Sequence, residues 1–369
     1  MKIVSRCLPI LLASLAVFGT VANAADRRTK NVILVTLDGL RWQEVFTGAD
    51  ESLLNAKDGG VEDVKALRGQ FWRDSATERR ETLMPFLWGV IARQGQLYGD
   101  RSKGSHGDLK NPHVFSYPGY NEILTGVADP RIDSNAKRPN VNRTVLEWLH
   151  LDRGYQGKVA AFCAWDVFPY ILNTERSGIP VMAGWNPLPE PQPNERQELI
   201  NDLLKTTSRT WEGVTYDSLV FAAAREHLLR HQPRVLYVAL GETDDWAHHG
   251  RYDHVLKTAR ASDHYIQQLW EAAQSMARYR DKTTLIITVD HGRGGGPRSW
   301  RDHGAKVEGA EAVWMAFLGP DTPPLGVREN TGTVTSGQVA TSVAAFLGED
   351  YQVARPDAPP PVREAMGRE

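Results

Sequence analysis

The fold is decided by residues 234–250, which read RVLYVALGETDDWAHHG. The run from Val235 to Leu240 is continuously apolar, as a parallel strand covered on both faces requires. It stops at Gly241, and Asp244 and His248 follow four residues apart, so a helical turn would place both on one face. A carboxylate and an imidazole at this spacing can form half of a divalent-metal site. An isolated pair of this kind is more often unrelated to metal, so a metal site requires further candidate ligands elsewhere in the chain.

Two further apolar runs also end in an acidic residue. Residues 31–37 lead into Asp38, and residues 283–289 lead into Asp290 and His291. Asp38-Gly39 is equally compatible with a simple turn. In open α/β sheets, however, ligands bind beyond the carboxyl ends of parallel strands. We therefore predict an α/β fold with a mostly parallel central sheet, helices on both faces and these side chains crowded at one edge.

The composition is that of an ordinary globular protein, with 369 residues, a formal net charge of −2 and 41% hydrophobic residues. This length fits one domain with insertions. A nucleic-acid-binding protein would carry a basic excess, so that class is disfavoured. Of the two cysteines, Cys7 and Cys163, only Cys163 lies beyond the first 24 residues, which excludes an intrachain disulfide there.

Residues 1–24 read as a secretory signal. Lys2 and Arg6 form the basic start, residues 8–18 the apolar centre, and Ala22-Asn23-Ala24 the cleavage site. Cleavage would remove these two positive charges and no negative ones, moving the formal net charge from −2 to −4. We expect the mature protein to be secreted or periplasmic, without a stable membrane anchor.

The domain organisation follows from composition along the chain. We predict a single α/β domain over residues 25–354, with insertion loops at about 48–112 and 166–215 lying over the active edge of the sheet. The tail, residues 355–369, is rich in proline and in alternating charges, and we predict that it is disordered.

A second functional candidate lies in residues 113–126, which read HVFSYPGYNEILTG. Pro118 can begin a helix, with Ser116 just ahead of it near free backbone N–H groups that favour bound anions such as phosphate. The alternative is that Ser116 only caps the helix. The segment does not match G-x-S-x-G, so an α/β-hydrolase serine is disfavoured.

The acidic residues and histidines at the strand ends create an electrostatic conflict. Several carboxylates and imidazoles within a few ångströms repel one another and cost several kcal/mol when partly buried. A pair of divalent cations would remove this conflict. The sequence therefore favours a metal centre over a coincidental cluster.

Seven residues in a fixed order resemble the alkaline phosphatase superfamily, in its phosphodiesterase and phosphoglycerate-mutase-like branch: Asp38, Ser116, Asp244, His248, Asp290, His291 and His303. The resemblance implies one metal held by Asp244, His248 and His303. It implies a second held by Asp38, Asp290 and His291, with Ser116 as both nucleophile and ligand beside it. Mixed nitrogen and oxygen ligands suit Zn²⁺, with Mn²⁺ as the alternative.

The function implied by this resemblance is an exported two-metal hydrolase of phosphate mono- or diesters that acts through a phosphoserine intermediate on a small-molecule substrate. Asn135, in the polar loop after Gly126, is the candidate amide donor to a non-bridging oxygen. The segment from Ser116 to Tyr120 departs from the Thr and Asn-His of many diesterase relatives, and no Cys-x-Pro-x-Arg sulfatase signature is present. Two alternatives stay open: a phosphotransferase or mutase on the same site, and a metal-binding scaffold without turnover. Substrate identity and oligomeric state are left open.

Overall fold

The buried apolar runs of the sequence form the strands of one central sheet. The computed structural model of the protein describes residues 27–367, so the predicted signal at residues 1–24 lies outside the described residues. The strands are β1 (Asn31–Leu37), β2 (Gln96–Tyr98), β3 (Gly107–Asp108), β4 (Val159–Cys163), β5 (Val181–Ala183), β6 (Val235–Leu240), β7 (Thr283–Thr288), β8 (Met315–Leu318), β9 (Gly326–Val327) and β10 (Val334–Thr335).

Eight of these strands pair in the order β5-β4-β6-β1-β7-β8-β2-β9, while β3 and β10 form a separate small sheet. The five strands from β5 to β7 are mutually parallel. Strand β8 is antiparallel to both β7 and β2. The strands that carry the predicted site, β6, β1 and β7, are therefore immediate neighbours at the centre of the sheet.

Helices cover both faces of the sheet. The α-helices are α1 (Trp42–Thr47), α2 (Ala56–Gly59), α3 (Val64–Phe71), α4 (Ala76–Leu83), α5 (Ala92–Gln94), α6 (Ser116–Thr125), α7 (Val145–Asp152), α8 (Phe168–Ile171), α9 (Thr174–Ser177), α10 (Glu195–Thr206), α11 (Asp217–His231), α12 (Glu242–His248), α13 (Tyr252–Ser275), α14 (Gly296–Ser299) and α15 (Gln338–Phe346). Short 3₁₀ helices span Glu51–Leu53, Arg101–Lys103, Tyr351–Val353 and Arg363–Met366, and a π-helical turn spans Leu87–Ile91.

The core consists of two apolar clusters, one on each face of the sheet. Successive residues of β1 alternate between them, with Ile33 and Val35 in one cluster and Val32 and Leu34 in the other. Burial of both faces explains why these strands are continuously apolar rather than alternating. The predicted α/β architecture is confirmed.

Each of the two stretches predicted as insertion loops also contributes a strand to the central sheet. Residues 48–112 include β2, which pairs with β8 inside the central sheet, and residues 166–215 include β5, which forms its edge. Both strands have only three residues. Such short strands leave no periodic signal in the sequence, so the sequence pattern alone does not reveal them.

The prediction of a disordered tail is wrong for residues 355–367. Val362, Ala365 and Met366 are buried in one of the two core clusters, and the backbone N–H of Val362 donates to the Ser342 hydroxyl at 3.0 Å. The proline-rich composition suggests disorder because the segment has few apolar residues. The burial of those few side chains against the core holds the segment in place. Within residues 27–367, no helix combines the length and the apolar character that a membrane span needs.

Candidate active site

The carboxyl ends of three neighbouring strands bring the predicted residues to one edge of the sheet. Asp38 follows β1 directly, and its backbone N–H donates to the Leu240 carbonyl at the end of β6 at 2.9 Å. After Gly241 the chain winds into α12, which presents Asp244 and His248 one turn apart. Asp290 and His291 follow β7 in the same way. His303 comes from the loop after α14, and Ser116 is the first residue of α6.

One donor group consists of Asp244, His248 and His303. The Nε2 atoms of His248 and His303 lie 3.0 Å apart, and Nε2 of His248 is 3.3 Å from Oδ2 of Asp244. Nε2 of His303 is 3.9 Å from Oδ1 of the same aspartate. One ligand atom from each of the three residues lies within 4.8 Å of the other two, as the ligands of a single cation would.

The other donor group is centred on the buried ring of His291. Its Nε2 atom lies 3.4 Å from Oδ1 of Asp38, 3.5 Å from Oδ2 of Asp290 and 3.7 Å from Oδ1 of Asp244. The hydroxyl of Ser116 is 3.4 Å from the same nitrogen. Asp244 thus belongs to both groups, whereas the resemblance implied that it holds one metal only. The seven side chains share one site.

The two buried carboxylates beside His291 each have one oxygen bound and one free. Oδ2 of Asp38 accepts from the Tyr120 hydroxyl, and Oδ1 of Asp290 accepts from the Gly39 backbone N–H. Among the described residues, Oδ1 of Asp38 and Oδ2 of Asp290 find no hydrogen-bond donor although both are buried. An unsatisfied buried anionic oxygen is costly. Free carboxylate oxygens next to imidazole nitrogens are the donor set that Zn²⁺ accepts, so these residues fit a metal centre.

The ionisable groups shift one another's pKa values. Burial alone would lower the pKa of His291, but the carboxylates of Asp290 and Asp38 outweigh it and raise that pKa to about 9. Burial raises the pKa of Asp290 well above its usual value, and the charge of Asp38 adds to the shift. Burial, followed by the charge of His291, lowers the pKa values of His248 and His303. His248 and His303 are therefore neutral at pH 7 and able to act as ligands.

A buried arginine that the sequence analysis missed completes the site. Arg293 donates to Oδ1 of Asp244 through a short contact and to the Asp244 carbonyl at 3.1 Å. It lies in the glycine-rich run that follows His291, residues 292–296. The start of the run is closely packed, since a Cβ added at Gly292 would lie 2.3 Å from the Ala312 carbonyl oxygen, whereas a Cβ at Gly295 or Gly296 would meet nothing within 4 Å. In the sequence, Arg293 is marked only by its position, as a cationic residue between the predicted ligands His291 and His303.

Ser116 does not cap its helix. The N-cap of α6 is Phe115, which makes no side-chain capping bond, and Ser116 lies in the first turn with its hydroxyl toward His291. The carbonyl oxygen of the exposed Asn135 side chain accepts from the Tyr117 backbone N–H at 3.0 Å. Asn135 is therefore next to Ser116, and its carbonyl occupies one free N–H of the helix N-terminus. The amide nitrogen is the part of Asn135 that could donate to a substrate.

A family model decides the wider relationship. The model described as type I phosphodiesterase / nucleotide pyrophosphatase matches residues 114–309, which are 196 of the 369 residues. The chain belongs to this family. The matched part of this phosphodiesterase-family chain contains Ser116 and five of the other six predicted residues, all except Asp38. The protein is thus a hydrolase of the alkaline phosphatase superfamily, in a family that depends on metal.

Solved structures show the same fold at low sequence identity. The lipoteichoic acid synthase LtaP from Listeria monocytogenes is 11% identical, with 89% of this chain and 74% of that chain covered and a TM-score of 0.55. The phosphonate monoester hydrolase of Agrobacterium radiobacter is 12% identical, with 92% and 78% covered and a TM-score of 0.55. BT1596, a 2-O GAG sulfatase, is 11% identical, with 92% and 75% covered and a TM-score of 0.51. No curated protein matches the sequence. These likenesses concern the fold alone.

Proposed function

We propose that this family member hydrolyses phosphate mono- or diesters of small molecules, with Ser116 as the nucleophile and two divalent cations as cofactors. The observation that carries the proposal is the position of the Ser116 hydroxyl, 3.4 Å from Nε2 of His291 and beside carboxylates with free oxygens. This position next to the donor groups favours a chemical role for Ser116 over a purely structural one.

The two cations would be held by the two donor groups. Asp244, His248 and His303 would hold one, while Asp38, Asp290 and His291 would hold the other, with Ser116 beside it. Asp244 lies within reach of both positions. Mixed imidazole and carboxylate donors favour Zn²⁺, with Mn²⁺ as the alternative. When bound, such ions supply Lewis acidity to the reacting oxygens and neutralise charge on the phosphoryl group.

The chain's own residues account for nucleophilic attack and orientation. The Ser116 oxygen forms a bond to phosphorus as the bond from phosphorus to the ester oxygen breaks, and the hydroxyl proton of Ser116 ends on the departing alcohol. Water then cleaves the phosphoserine, which restores the Ser116 hydroxyl and releases phosphate or a monoester. The helix N-terminus at Ser116 favours an anionic substrate. The amide nitrogen of Asn135 would donate to a non-bridging oxygen. We further propose that the protein is exported, on the basis of the signal predicted at residues 1–24.

Hydrolysis of p-nitrophenyl phosphate and bis-p-nitrophenyl phosphate tests the proposal. We expect turnover that is lost on chelation, restored by Zn²⁺ or Mn²⁺, and abolished in Ser116→Ala with metal content retained. Ser275→Ala is the matched control, because Ser275 is an exposed serine at the end of α13, the helix whose C-terminus leads to the opposite edge of the sheet. Activity that persists in metal-free protein, or full turnover in Ser116→Ala, would reject the proposal. Transfer to an added alcohol without phosphate release would indicate a phosphotransferase instead.

A further inference from the structure

A strained residue lies two positions before the nucleophile. Val114 has a φ of 55° and is buried. The left-handed region is disfavoured for residues with a branched Cβ, and such residues persist there only when the surroundings hold them. Among the described residues, the other non-glycine positions with positive φ are Asn, Gln or Asp, which makes the valine exceptional. Its conformation therefore calls for a specific cause.

Asn111 fixes the backbone that leads into Val114. The side-chain oxygen of Asn111 accepts from the Val114 backbone N–H at 2.8 Å and from the His113 N–H at 3.2 Å. Two consecutive N–H groups turned toward one oxygen constrain the chain between them. Asn111 itself is buried.

Asn111 is held in turn by Glu122. The Glu122 carboxylate accepts from the side-chain amide of Asn111 at 3.0 Å, from the Asn111 backbone N–H at 2.9 Å and from the Lys110 backbone N–H at 2.9 Å. Glu122 is buried on α6, the same helix that begins at Ser116. The helix that carries the nucleophile thus organises the loop before it.

The strained turn directs a carbonyl group at a residue of the metal centre. The Val114 carbonyl oxygen lies 3.3 Å from Nδ1 of His303. If this bond places the proton on Nδ1, then Nε2 keeps a lone pair and faces His248, 3.0 Å away. The ring of His291 also has its Nδ1 next to a backbone carbonyl oxygen, that of Gly292, at 2.9 Å. Backbone carbonyls that orient histidine ligands commonly raise metal affinity.

We propose that Asn111 is a positioning residue which, anchored by Glu122, keeps Val114 in the left-handed conformation so that its carbonyl selects the Nδ1-protonated form of His303. Through this chain of contacts, α6 fixes both the position of Ser116 and the orientation of His303, which lies on another loop. The inference rests on the proposed role of His303 as a metal ligand.

The first test reads the protonation of the His303 ring directly in metal-free protein at pH 8. Imidazole ¹⁵N shifts, assigned with His303→Gln, should show protonated Nδ1 and unprotonated Nε2 in the unsubstituted protein. Asn111→Ala should mix the two neutral forms and weaken Zn²⁺ binding by about tenfold or more, measured by calorimetry. Adding Val114→Gly to Asn111→Ala should restore both readings, because glycine adopts a positive φ without a Cβ penalty.

The matched control is Asn194→Ala. Asn194 makes the same kinds of contact at α10, where its oxygen accepts from the Gln197 N–H at 2.9 Å and its amide donates to Glu226 at 2.8 Å. This variant should leave the His303 shifts and Zn²⁺ affinity unchanged. Unchanged shifts in folded Asn111→Ala, or no recovery in the double variant, would overturn the inference. The shifts require neither metal nor substrate, so they are independent of whether the protein hydrolyses phosphate esters.

Discussion

The Tyr120 hydroxyl donates a hydrogen bond of 2.9 Å to Oδ2 of Asp38, and both residues are buried at the carboxyl end of β1. This bond occupies one carboxylate oxygen and leaves the other, Oδ1, facing His291 at 3.4 Å. The chain therefore orients Asp38 with a phenol of its own.

We predict that Tyr120→Phe destabilises the metal-free protein by about 1–3 kcal/mol, because a buried carboxylate oxygen loses its donor. It should also weaken Zn²⁺ binding, because Asp38 is no longer fixed. Denaturant unfolding and zinc titration measure the two effects. Tyr98→Phe is the control, since the buried Tyr98 hydroxyl donates to Gln96 at 2.7 Å away from the proposed ligands. Equal zinc affinities of the two variants would contradict a role for Tyr120 in orienting Asp38.

We predict that Arg293→Met makes stability depend more strongly on zinc. The guanidinium of Arg293 is paired with Asp244 inside the site, and removing one partner of a buried ion pair costs about 3–5 kcal/mol. A bound cation can replace the missing charge, so saturating Zn²⁺ should raise the melting temperature of the variant more than that of the unsubstituted protein. Arg301→Met removes a cation outside the donor groups, so Zn²⁺ should raise its melting temperature no more than that of the unsubstituted protein. An equal zinc-induced rise in all three proteins would count against the role assigned to Arg293.

We predict that Gly119→Ala reduces kcat/KM by about a hundredfold or more, since a shift of roughly 1 Å in a reacting group can cost that much. A Cβ at Gly119 would lie 2.2 Å from the Asp290 carbonyl oxygen, so α6 must move away from the end of β7 and take Ser116 with it. Gly89→Ala is the control, because a Cβ there meets nothing within 4 Å. Steady-state kinetics that fail to separate the two variants would refute this reading of the contact between α6 and β7.

We predict that His227 makes the protein less stable in acid. Burial, followed by the charge of His231, lowers the pKa of His227 to about 4, below its usual 6.5. Because the folded state disfavours the protonated ring, this contribution to stability is complete above pH 6.5 and is lost as the pH falls toward 4. After discounting for partial exposure, the loss is about 2 kcal/mol. Urea unfolding of metal-free His227→Phe between pH 4 and 7 should show a shallower pH dependence; an identical slope in both proteins would show the assignment to be incorrect.

The features that can be predicted from the sequence are those that depend on a local pattern of residues. Continuous apolar runs identify β1, β6 and β7, and the acidic residue after each run identifies Asp38, Asp244 and Asp290, because the order of residues along a strand fixes which side chain reaches its end. The spacing of Asp244 and His248 likewise predicts their shared helical face, which α12 provides. The three central strands and the acidic residues at their ends could therefore be predicted without coordinates, whereas Ser116 and His303 joined the set through the resemblance to the alkaline phosphatase superfamily.

What the sequence does not predict rests on contacts between distant segments. Arg293 reaches Asp244, 49 residues away, and His303 reaches the Val114 carbonyl, 189 residues away. Neither contact has a local signature. A positive φ at Val114 is likewise invisible in the sequence, since a valine by itself disfavours that conformation. Propensity would have predicted the opposite conformation there.

A crystal structure of the zinc-loaded protein, with anomalous scattering recorded at the zinc edge, tests the central claim most directly. We predict two anomalous peaks roughly 4 Å apart. One should be ligated by Asp244, His248 and His303, and the other by Asp38, Asp290 and His291 beside the Ser116 hydroxyl. Zinc bound only elsewhere on the protein, with the free oxygens of Asp38 and Asp290 not coordinated, would contradict it.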